Sequence, residues 1–112
     1  MASPLNPMVV QRRMEARGEI LYMLDANRGM DAPIKVGWIM DALRSKPEIA
    51  QEVPAQIAFL RRREYIEVTT QEETPEMRPN RSAYILLTDK GQDLVEGHIE
   101  DNAVLFGDAE RH

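Results

Sequence analysis

The chain contains no cysteine, which excludes disulfide bonds and thiolate-held metal sites. Aromatic residues make up only 5% of the 112 residues, so the core must be built from aliphatic side chains and methionine. No apolar run reaches the roughly 18 residues that a membrane-spanning helix needs. Met1-Ala2-Ser3-Pro4 lacks the basic stretch and apolar run of a secretory leader, so a cytoplasmic address and no membrane partner are expected. His98 and His112 have no cysteine to pair with, and no phosphate-binding loop, glycine-rich dinucleotide turn or metal-ligand spacing occurs. Carboxylate pairs such as Glu72 and Glu73 sit in a stretch without periodic pattern, where acid–base chemistry lacks fixed geometry. The expectation is a binding protein rather than an enzyme, with no cofactor and no metal.

What is present is an ordinary globular composition, 43% apolar and 29% charged, at the length of one domain. The net charge of −5 is unevenly spread. Residues 89–112 carry seven acidic and two basic side chains, which is the whole excess. The remainder is neutral, with arginines gathered at 61–63 and at 78 and 81. A neutral body with local arginine clusters can still bind phosphate, more weakly than a basic domain.

Residues 1–7 read as a flexible arm, with Asn6 as a helix cap and Pro7 in the first turn. A helix follows over 8–26, its apolar stripe formed by Val10, Met14, Ile20, Leu21 and Leu24. Gly18 weakens its middle, by up to about 1 kcal/mol relative to alanine. Residues 32–34 form a short extended piece. Val36, Ile39, Met40 and Leu43 match the helical template over 35–45. One helical turn is expected at 48–52, and a further helix opens at Pro54 and ends near Arg63, with Ile57 and Leu60 inward. The period then changes to two. Residues 65–69 and 82–87 read as strands of an antiparallel hairpin, joined by a long loop over 70–81. Thr88 caps a last helix that carries Leu94, Val95 and Ile99 and is expected to continue toward Val104-Leu105-Phe106. Residues 107–112 complete the chain as a frayed acidic tail, leaving 8–106 as the single domain. The fold class is mostly α with a small β-hairpin, in the order helix, short strand, helix, helix, strand, strand, helix.

Ile57-Ala58-Phe59-Leu60-Arg61-Arg62-Arg63-Glu64-Tyr65-Ile66 resembles the recognition-helix exit of bacterial winged helix-turn-helix regulators of the MarR and PadR kind. Tyr84-Ile85-Leu86-Leu87-Thr88-Asp89-Lys90-Gly91 is similar to their second wing strand running into Leu-Thr-x-x-Gly. The resemblance covers roughly residues 17–97 and implies a winged helix-turn-helix fold. Three features differ from those families. The long dimerisation helices of MarR proteins are absent, the recognition helix opens on Pro54-Ala55-Gln56, and the wing tip holds Glu72, Glu73 and Glu76.

The resemblance implies double-stranded DNA as partner, with the 54–63 helix in the major groove and the wing beside it. Helical spacing from Ile57 and Leu60 turns Ala55, Gln56, Phe59, Arg62 and Arg63 outward. Gln56 suits adenine and Phe59 a thymine methyl. Arg62, Arg63, Arg78, Arg81 and Lys35 suit phosphates. Each has a plainer alternative. The arginines also fit a solvated helix end, and Phe59 also fits the core. Trp38 lies off its helix's stripe, as cover for the arm or first helix or as an interface residue. Val104, Leu105 and Phe106 are placed either at a homodimer or partner interface or against the first helix. Two functions therefore stand side by side: a small prokaryotic or phage transcription regulator, and a winged-helix adaptor that binds protein.

Overall fold

A computed structural model describes residues 6–27, 33–69 and 81–106. Its elements are α1 (Pro7–Ala26), β1 (Ile34–Lys35), α2 (Val36–Ala42), α3 (Pro47–Ala50), α4 (Val53–Arg62), β2 (Ile66–Val68), β3 (Tyr84–Leu87) and α5 (Asp89–Glu96). The fold is mostly helical with a small three-stranded antiparallel sheet. The Asn6 side chain accepts the Met8 amide at 2.8 Å and Pro7 opens α1. That satisfies one of the amides a helix start leaves unpaired.

Ile20, Leu21 and Leu24 from α1 meet Val36 and Ile39 from α2, Val53, Ile57 and Leu60 from α4, Ile66 and Ile85 from the sheet, and Leu94 from α5. The inward stripe of α1 differs from its expected one at the start. Val10 is 37% exposed, while Ala16 and Gly18 are buried. The first turns of α1 border an open hollow against residues 45–49, and only its middle and end lie on the core.

The hairpin pairs Ile66 with Leu87 and Val68 with Ile85. β1 adds a third strand on the other side of β3, Ile34 opposite Ile85, giving the order β1-β3-β2. The Val36 amide then donates to the Ala83 carbonyl at 2.8 Å and that of Gly37 to the Arg81 carbonyl at 2.9 Å, tying the start of α2 to the strand.

Leu87-Thr88-Asp89-Lys90-Gly91 closes the sheet onto the end of α4. The Thr88 hydroxyl accepts the Gly91 amide at 3.0 Å and donates to the Glu64 carbonyl at 2.6 Å. The Thr88 amide donates to the Tyr65 carbonyl at 3.0 Å. A β-carbon on Gly91 would stand 2.1 Å from that carbonyl oxygen, so only glycine fits. On the facing side α4 ends with Glu64 at φ 67°, the left-handed region. The Tyr65 amide reaches back to the Leu60 carbonyl and the Glu64 amide to that of Arg61, both at 3.0 Å, the double closure of a Schellman ending.

The last helix does not continue toward residues 104–106 as expected. It stops at Glu96, where Gly97 takes φ 83° and the His98 amide closes on the Asp93 carbonyl at 2.9 Å. Residues 101–106 instead run without helix or strand back across α1. The Leu105 amide donates to the Met14 carbonyl at 3.1 Å.

Candidate functional site

The outward face of α4 differs from its expected one. The helix begins at Val53, so Val53, Ile57 and Leu60 centre the buried stripe and Gln56 flanks it. Gln56 is 4% exposed, the one polar residue within the described core. Its carbonyl oxygen accepts from Arg17 Nε at 2.7 Å and its amide donates to Glu52 at 3.1 Å. This buried amide has partners for both ends and is turned away from any external ligand. Phe59 is half-buried, with the Arg17 guanidinium 3.6 Å and that of Arg63 4.7 Å from the ring centre. Ala55 is half-buried, and Arg62 is exposed.

Arg63 is fixed from the far end of the chain. Its Nη1 lies 2.7 Å from Asp101 Oδ2, and the Tyr65 hydroxyl donates to the same oxygen at 2.7 Å. Asp101 Oδ1 accepts the Ala103 amide at 2.8 Å. The carboxylate side chain is 8% exposed. Burial pushes its pKa up, but the Tyr65 hydroxyl, the Ala103 amide and Arg63 outweigh that, and the pKa is lowered. Burial first, and the hydrogen bond to Asp101 second, raise the Tyr65 pKa to about 12. Arg17 completes the cluster by donating to the Ala103 carbonyl at 2.7 Å. Its pKa is lowered by burial and then by Arg63 and Arg13 nearby.

The other sequence-named cations gather elsewhere. Arg81 pairs with Asp41 at 2.7 Å, both largely exposed, and its Nη2 reaches the Gly37 carbonyl at 3.5 Å. Lys35 Nζ lies 5.5 Å from the Tyr84 ring centre, its partner across the β1–β3 ladder. Lys35, Trp38 and Arg81 line one open hollow of 380 Å³, with Trp38 50% and Tyr84 40% exposed. Arg63 thus follows α4 and Arg81 precedes β3, and among the described residues they share no ion-pair partner. Arg78, Glu72, Glu73 and Glu76 lie outside the described residues, as do residues 107–112.

Of the segment read either as an interface or as packing on α1, Val104 is 7% exposed and Phe106 packs against the core, whereas Leu105 is 36% exposed. Arg17, Tyr65 and Asp101 were missed by sequence reasoning. Gly18 was the available signal, since a glycine in mid-helix marks a place where another backbone comes close. Among the described residues no three histidine or carboxylate side chains gather to hold a metal ion, and no helix is long and apolar enough to cross a membrane. No family model, curated protein or solved structure matches the chain.

Proposed function

We propose that the chain is a winged-helix module that binds a protein partner, with the face around Trp38 and Tyr84 as its contact surface. The element order and the β1-β3-β2 sheet support the winged-helix reading. The observation that carries the choice of partner is Gln56. The amide best suited to reading a base is spent on Arg17 and Glu52, and Phe59 lies beside two guanidinium groups. Along α4 that leaves Ala55, Arg61 and Arg62, with Arg63 just past its end tied to Asp101. Exposed tryptophan and tyrosine beside arginine are the residue types that dominate protein interfaces. Lys35 favours a partner surface carrying a carboxylate, while Arg81 is already paired with Asp41 in the same hollow.

A second reading keeps DNA as partner through phosphates alone, favoured by the exposure of Lys35, Arg62 and Arg81. Titration with random duplex DNA at about 50 mM and about 200 mM salt separates the two. The protein-binding reading expects no salt-steep binding. Affinity falling steeply over that range, with a shallower slope for Arg62→Ala, would replace it with the DNA reading. In the positive arm, a photo-crosslinker at Tyr84 captures a protein from the native cell extract, and Arg81→Glu abolishes the capture.

A further inference from the structure

We infer that the groove between α1 and α4 is a second, peptide-binding site, filled here by the chain's own residues 101–106. The partner it accepts is an acidic segment of the same chemistry, a carboxylate that opens a turn and is followed three residues later by an aliphatic side chain. The site is independent of the Trp38 face and of whatever that face binds.

The covering segment is held as a bound peptide is held. Its carboxylate, Asp101, meets Arg63 and the Tyr65 hydroxyl, both at 2.7 Å. Charge-assisted bonds of this kind recur where acidic motifs are recognised. Its main chain is gripped twice, at the Ala103 carbonyl by Arg17 and at the Leu105 amide by the Met14 carbonyl. Its apolar anchor, Val104, reaches the core at 7% exposure. The floor is Gly18, where a β-carbon would stand 2.0 Å from the Leu105 oxygen, so the groove admits a backbone and not merely a side chain.

The same segment also packs Phe106 against the core. It forms neither helix nor strand, and it is reached through Gly97, His98 and Glu100, all exposed. In the free chain the covering segment competes at high effective concentration, so a partner in trans gains access as the Asp101 latch weakens.

The test uses the full-length chain and a fluorescein-labelled peptide with the sequence of residues 98–106. Asp101→Asn in the chain loosens the latch. The labelled peptide is expected to bind that variant at least about ten-fold more tightly than the unaltered chain. The peptide carrying Asp101→Asn is expected to lose that binding. Arg63→Gln, added to the Asp101→Asn chain, is expected to abolish it while hydrogen exchange at Ile39 and Ile57 shows the core still protected. A dimer of the Asp101→Asn chain that the peptide dissolves also supports the site, with a second copy as occupant. Equal binding of the aspartate and asparagine peptides overturns the inference. So does the absence of binding at about 1 mM peptide, or unchanged exchange at Leu105 in the Asp101→Asn chain.

Discussion

Gly18 and Leu105 meet main chain to main chain: a β-carbon on Gly18 would stand 2.0 Å from the Leu105 carbonyl oxygen and 2.8 Å from its carbon. In an isolated helix, Gly18→Ala gains up to about 1 kcal/mol. Here it must lift the covering segment, with Val104 and the bond to Met14. A net loss of about 1–3 kcal/mol is expected in urea unfolding, the usual range for overpacking. A variant as stable as the parent would show that the two backbones are not in contact.

Glu64 holds a left-handed conformation that costs a side-chain-bearing residue about 1–2 kcal/mol. Glu64→Gly removes that strain and returns part of it as unfolded-state entropy, for a gain of about 1 kcal/mol. The thermal midpoint should rise by roughly 4 °C. Glu64→Ala, which keeps the β-carbon, should leave it unchanged.

Thr88 joins two helices through one hydroxyl, capping α5 and donating to the Glu64 carbonyl just past α4. Thr88→Ala is expected to cost about 1–2 kcal/mol. Thr88→Ser keeps the hydroxyl and should lose much less. Denaturant midpoints of the two variants measure the difference.

Asp101 and Tyr65 give stability a limit at each end of the pH scale. The Asp101 pKa lies below its ordinary value of 3.8 in the folded chain. Its contribution is therefore present above 3.8 and is lost as pH falls through the folded value. The Tyr65 pKa rises from 10.0 to about 12, so its contribution is present below 10.0 and is lost as pH rises toward 12. Asp101→Asn should flatten the acid limb of a stability–pH curve, and Tyr65→Phe the alkaline limb. Unaltered limbs in both variants would dissociate the pair from stability.

Local pattern carried much of the architecture. The stripe of α2, the hairpin strands and the Thr88 cap are short-range features, fixed by neighbours a few residues away. The phase of α4 is not legible locally, because Ile57 and Leu60 alone do not settle it. Val53 rotates the stripe toward Gln56, and Gln56 is tolerated inside only because Arg17, 39 residues earlier, supplies a donor. Gly97 is an effective stop, but it was overlooked because apolar residues recur beyond it at Ile99 and Val104. Those residues face the same core from a bend and a turn instead of a helix. The Asp101 cluster was illegible for the same reason as Gln56, since its partners lie 36 and 38 residues away.

The covering segment also sets an order in time. Met14, Arg17, Gly18, Arg63 and Tyr65 are all synthesised before residues 101–106, which they hold. Until those residues are in place the notch over Gly18 stands open, with Arg17 Nη1 short of the Ala103 carbonyl and Arg63 short of Asp101. Closure then spans 86 residues between Arg17 and Ala103, a contact of the slow, non-local kind. α1 is thus made before residues 101–106 but sealed only after them.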